Sequence, residues 1–180
     1  MELDTHSRTT SICSEAQQAN QNGALEIDTV IPLGLLLSKP PQYTHIFQHL
    51  QSIIQTVSPI PVKVIIETGL IPTPELKITA CVLAAEAGAA FVKTSTGFAT
   101  GGGATTEDVR LMFMAVKYRG NVKVKASGGV RTFEACKKMF AAGAERIGTY
   151  VPPFHIILLL VYTLHRSSGA NLMNVAPNEY

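Results

Sequence analysis

Lys93 and Lys125 each close a short apolar run, FVKTS and VKVKASG, and each is followed at once by hydroxyl residues and glycines. An ammonium group at the end of such a run is costly unless it is paired or put to use. A lysine that gives up its proton near neutrality is an amine nucleophile, able to attack a carbonyl and form a Schiff base. Runs separated by one helix are expected to be neighbouring parallel strands. Two ammonium groups about 5 Å apart at an effective dielectric of about 20 repel by roughly 3 kcal/mol. That lowers one lysine's pKa by about two units from its reference near 10. The expected chemistry is carbonyl attack, with Lys93 as nucleophile and Lys125 holding its pKa down.

Side chains alternate along a strand, and the same alternation gathers further ionisable groups. Glu26 and Asp28 share a face in EIDTV, Lys63 and Glu67 in KVIIE, Lys93 and Ser95 in FVKTS, and Lys123, Lys125 and Ser127 in KVKAS. Lys123 stands nearest the start of its run and is expected to be structural. The turns STG and SGGVRT that follow the two lysines offer backbone N–H groups of the kind that cradle phosphate. The glycines of GGGATTED are explained equally well by loop flexibility.

The elements that must hold these residues alternate. Residues 25–31, 62–68, 89–95, 122–128 and 145–149 read as strands. Residues 73–88, 105–120 and 132–143 read as helices, each opened by a threonine N-cap with acid in the first turn and closed by glycine. Residues 44–57 carry helical periodicity, and 11–23 form a further helix ending at Gly23. Strand–helix alternation predicts an α/β fold with a parallel sheet, here a (β/α)8 TIM barrel that is incomplete, with five of about eight units visible.

The chain has 180 residues, 46% hydrophobic and 16% charged, which suits one domain over 1–180. Fifteen basic against thirteen acidic side chains leave +2, giving no reason to expect nucleic acid or an anionic membrane as partner. Cys13, Cys81 and Cys136 are odd in number and form no CxxC, so neither a disulfide framework nor a zinc site is indicated. Cys81 is expected to be a buried small hydrophobe. His45 and His49 stand i, i+4 on a helix and read as a solvated face rather than a metal site. The apolar run 156–162 is short of the ~20 residues of a membrane helix, and MELDTHSRTT has no apolar signal region, so a cytoplasmic location is expected.

The segments NGALEIDTVIPLG, VKVIIETGLI, EAGAAFVKTSTGFATGGGAT and VKASGGVRTFEACKKMFAAGAERIGT are similar to those of the deoxyribose-phosphate aldolases, class I Schiff-base aldolases with a (β/α)8 barrel. The resemblance implies cleavage of 2-deoxy-D-ribose 5-phosphate to D-glyceraldehyde 3-phosphate and acetaldehyde, with no cofactor and no metal. By it, Lys93 resembles the Schiff-base lysine, Lys125 the lysine that tunes it, and Asp28 the aspartate of the proton relay. Gly97, Gly128, Gly129 and Arg131 fall on the phosphate-side loops, and Lys63 matches a supporting lysine. It also implies a small phosphorylated sugar as partner and suggests a homodimer. Against the family pattern, the chain starts where the third strand has ended. Tyr150–Arg166 reads as an insertion after which SSGANLMN resumes, making Ser167 and Ser168 displaced phosphate ligands. The alternative is a catalytically inactive truncated remnant of the family.

Overall fold

The structure, a computed structural model, describes residues 5–100 and 102–149. Helix α1 (Thr5–Gln21) leads into strand β1 (Ile27–Val30), the one-turn helix α2 (Leu33–Leu36) and α3 (Tyr43–Thr56). Then come β2 (Val62–Ile65), α4 (Pro74–Glu86), β3 (Phe91–Lys93), α5 (Thr106–Val116), β4 (Lys123–Ser127), α6 (Phe133–Ala142) and β5 (Arg146–Gly148). The strands form one sheet in chain order, every neighbour parallel. All five expected strands are present, each shorter than its apolar run.

The helix starts are where the threonines place them. Thr73, Thr105 and Thr132 Oγ1 accept hydrogen bonds from the N–H of Leu76, Asp108 and Ala135. Each cap contributes about 1 kcal/mol by satisfying an N–H that the helix leaves unpaired. Helix α6 ends at Gly143, whose φ of 115° suits the left-handed closing residue.

One face of the sheet is sealed by these helices. Val64, Val92, Val124 and Ala126 on the strands are fully buried, as are Ile46, Leu50 and Ile53 of α3 and Val109, Met112 and Val116 of α5. Helix α4 presents Ala80, Cys81, Ala84 and Ala85, all fully buried, and such small side chains let it lie close to its neighbours. Burial pushes the Cys81 thiol far above its usual pKa, so it packs as an inert hydrophobe, as expected. A partly buried ion pair, Lys77 Nζ to Asp108 Oδ1 at 2.6 Å, ties α4 to α5.

Two features depart from the sequence reading. Helix α1 begins at Thr5, well before the expected run, because it lies along α3 and gains contacts that its polar sequence does not advertise. In consequence His49 is not on a solvated face. It is half-buried beneath α1, with Nδ1 2.7 Å from the Thr9 hydroxyl, while His45 stays exposed. Among the described residues no helix is long and apolar enough to cross a membrane, and no group of three or more His, Cys, Asp or Glu is placed to hold a metal. The segment 150–166, with Ser167 and Ser168, lies outside the described residues.

Candidate active site

The other face of the sheet is charged. Strand register sets Lys93 of β3 beside Lys125 of β4, and Lys125 beside Arg146 of β5. Three cations therefore stand at one height on adjacent strands, an arrangement that like-charge repulsion opposes. One step toward the strand starts, Asp28 of β1 pairs in register with Lys63 of β2. Its carboxylate is the point of convergence. Oδ1 accepts from Lys63 Nζ at 2.6 Å, Oδ2 accepts from Lys93 Nζ at 2.7 Å, and Lys125 Nζ lies 4.0 Å from the same Oδ2.

Glu26 supplies the second negative charge. It meets Lys63 Nζ at 3.0 Å, and one guanidinium nitrogen of Arg146 reaches both its oxygens at 2.8 and 2.6 Å. The Arg146 guanidinium also sits 4.5 Å from the centre of the Phe91 ring. Thus β1 and β5, the outermost strands among the described residues, are joined across the charged face by an ion pair between residues far apart in the chain. Among the described residues, four cations share two carboxylates, and the surplus is positive, which favours an anionic ligand.

The titration of these groups follows from the contacts. Arg146 first and Lys63 next hold the Glu26 carboxyl below its usual value. Burial pushes Asp28 up, but hydrogen bonds from Lys63 and Lys93, with their charges, overcome it and the net direction is down. The Lys125 amine has its pKa lowered. Burial is the largest cause, Asp28 opposes it, and repulsion from Lys93, Lys63 and Arg146 adds to it. Asp28 Oδ2 lies within reach of both amines, paired directly with Lys93 and 4.0 Å from Lys125. A lowered lysine pKa means that the charged form costs stability, a cost fully present below the folded pKa and relieved as pH rises toward about 10.4.

Glu67 departs from the strand-face expectation. It does not share the face of Lys63, because β2 ends at Ile65 and Glu67 turns into the left-handed region (φ 54°, ψ 61°). Its side chain runs instead to the loop after Lys93. Lys123, by contrast, is half exposed with only a 3.8 Å approach to Glu145, in keeping with the structural role expected of it.

The loops expected on the phosphate side lie beyond the strand ends. Gly97, Gly128 and Gly129 all have positive φ, the left-handed backbone that tight turns after a strand need. The two loops touch. Ala104 N–H donates to Gly128 C=O at 2.9 Å, and a Cβ on Gly103 would lie 2.2 Å from that carbonyl oxygen. Gly103 is therefore required by close backbone approach rather than by loop flexibility. Gly103→Ala is expected to cost about 1–3 kcal/mol, measurable by urea denaturation, since a backbone atom and not a flexible side chain must move. Arg131 is exposed on the surface of its loop.

Arg146 was not singled out from sequence. A lone arginine at the start of the short run ERIGT looks like a surface charge; its value comes from register with Lys125. A larger concavity, about 440 Å³, lies between α1 and α3 near Cys13, His45 and His49, but it holds no cluster of amines. The geometry that supports chemistry is the lysine–aspartate centre, whose β1 side borders a smaller hollow of about 310 Å³.

A parallel β/α sheet carrying lysines near its C-terminal strand ends defines a fold of the (β/α)8-barrel type, incomplete among the described residues. The family model of the DeoC/LacD family aldolases matches residues 2–150, and the chain belongs to that family. The deoxyribose-phosphate aldolase of Thermotoga maritima is 51% identical over 135 residues, which are 75% of this chain and 52% of the relative. That of Thermococcus kodakarensis is 44% identical over 167 residues, 92% of this chain and 64% of the relative. Among solved structures, the tetrameric deoxyribose phosphate aldolase of Aeropyrum pernix superposes with a TM-score of 0.68 at 28% identity, over 83% of this chain and 60% of that one. The chain spans about half the length of the first curated relatives it matches.

Proposed function

We propose that the protein is a class I aldolase acting on 2-deoxy-D-ribose 5-phosphate, releasing D-glyceraldehyde 3-phosphate and acetaldehyde. The observation that carries the reading is the convergence of Lys63, Lys93 and Lys125 on Asp28 in a member of this family. Lys93 is the nucleophile. Its free amine adds to the substrate aldehyde and water leaves, giving an iminium ion. Carbon–carbon cleavage then takes the proton from the C3 hydroxyl and leaves an enamine on Lys93. Protonation of the enamine carbon and hydrolysis return acetaldehyde and the amine.

Asp28, accessible to solvent over about a third of its side chain, is placed to move protons through water while anchoring Lys93. Lys125, with its lowered pKa and its Nζ 4.0 Å from Asp28 Oδ2, serves as a proton acceptor beside Lys93. Lys63 fixes the orientation of Asp28. The N–H groups around Gly97, Gly128 and Gly129 take the phosphate, with Arg131 at the rim. The described residues act as one partial barrel domain. No cofactor enters this scheme. A homo-oligomer in the cytoplasm is the setting we infer, the Aeropyrum pernix relative being tetrameric; light scattering on the purified chain checks the assembly.

The test is reductive trapping. Incubation with acetaldehyde and borohydride is expected to add one ethyl group at Lys93, read by peptide mass mapping. An adduct at Lys125 instead would reverse the two lysines' roles. The same experiment separates the alternative, an inactive member of the family. That alternative predicts no adduct at either lysine and no turnover.

A further inference from the structure

Glu67 is an expensive residue for its position. It is the one non-glycine with positive φ among the described residues, a conformation that costs an ordinary side chain about 1 kcal/mol or more. It is also a carboxylate with only 3% of its surface exposed, and its Oε1 is buried without a hydrogen-bond partner. Glycine would remove the backbone strain, and an apolar residue would remove the buried oxygen. Neither consideration of stability favours glutamate here.

What the carboxylate does is bind the loop that follows Lys93. Oε2 accepts from both the N–H and the hydroxyl of Thr96, at 3.1 and 2.6 Å. The Thr96 hydroxyl in turn accepts from Phe98 N–H at 3.1 Å, closing the turn that contains Gly97. The residues between Lys93 and Thr96 are tied as well. Thr94 N–H donates to Lys125 C=O, and its hydroxyl and Ser127 exchange bonds of 2.8 and 2.9 Å. Ser127 hydroxyl donates to Ser95 C=O at 2.6 Å, and Thr68 N–H donates to Thr94 C=O. Thr94 and Ser95 are thus held by β4 and its end. Thr96, one residue further out, is held by Glu67.

We propose that Glu67 is a positioning residue that presets the Thr96–Phe98 turn, so that the Gly97 N–H side of the site binds a phosphate group of the substrate. This deepens the aldolase reading and rests on Gly97 lying on the phosphate side. The left-handed backbone at Glu67 is what turns its side chain from the sheet face toward Thr96, which explains why the strain persists.

The test compares Glu67→Gln, Glu67→Ala and Glu67→Gly in the full chain, with inorganic phosphate as probe and the Gly97 amide signal as readout. Wild type and Glu67→Gln, whose amide oxygen still accepts from Thr96, are expected to bind phosphate alike. Glu67→Ala and Glu67→Gly are expected to bind about tenfold more weakly, the effect of about one lost charge-assisted hydrogen bond. Glu67→Gly keeps the fold readout clean, since it relieves the strain; its thermal midpoint should lie above that of Glu67→Ala. Acetaldehyde trapping at Lys93, which involves no phosphate, should change by less than about twofold in all three if the turn alone is affected. Absence of phosphate binding in wild type, or unchanged binding in Glu67→Gly, overturns the proposal. An equal loss of trapping and of phosphate binding overturns it too. Failure of wild type to trap acetaldehyde would instead sink the aldolase reading, and the phosphate titration still decides the role of Glu67.

Discussion

Replacing Lys93 by methionine is expected to abolish the borohydride-stable adduct and to lower aldol cleavage by about 10⁴-fold or more, the scale of losing a covalent nucleophile. Methionine keeps the length and apolar stem of lysine and removes a charge from a site only 9% exposed. Folding should survive, because Asp28 keeps its 2.6 Å bond to Lys63 and one cation leaves a positively charged cluster. The adduct mass and the far-UV spectrum are measured on the same sample. A folded Lys93→Met protein that still acquires an ethyl group at Lys125 would show that the amine with the lowered pKa is the nucleophile.

The second large effect is expected at Asp28→Asn. The asparagine is nearly isosteric but removes the charge on which Lys63, Lys93 and Lys125 converge. Turnover should fall by about 10²–10³-fold, as for a lost proton-transfer group. Stability at pH 7 should fall by about 2 kcal/mol, below the range for a fully buried pair because a third of the Asp28 side chain is exposed and screened. The pH dependence fixes the cause. The folded pKa of Asp28 lies below its ordinary value, so its contribution is present above about pH 4 and is lost as pH falls through the folded value. Wild type and Asp28→Asn should therefore converge in urea titrations at low pH and separate at neutrality. A constant gap from acid to neutral pH would assign the loss to packing rather than to charge.

Much of this protein was legible before any geometry. The strand–helix alternation gave an α/β parallel sheet, and the threonine–acid–glycine punctuation placed α4, α5 and α6 closely, because capping is local chemistry. Period-two alternation brought Glu26, Asp28, Lys63, Lys93 and Lys125 to one face. The start of α1 was not readable, since its helicity rests on α3 and not on its own polar residues. Nor was the turn at Glu67, where one residue in the left-handed region ends the alternation that had placed it beside Lys63.

What the sequence determined by itself is the inventory: which strands carry amines, which carry carboxylates, and which loops carry the glycines beyond them. What only the tertiary structure decided is how those charges are shared. Register set Arg146 beside Lys125 and let it reach Glu26 across the sheet, and it put the Asp28 carboxylate within reach of the two central lysines. The physical reason is that periodicity fixes the face a side chain occupies, whereas the energy of a charge depends on distances of a few ångströms to groups dozens of residues away.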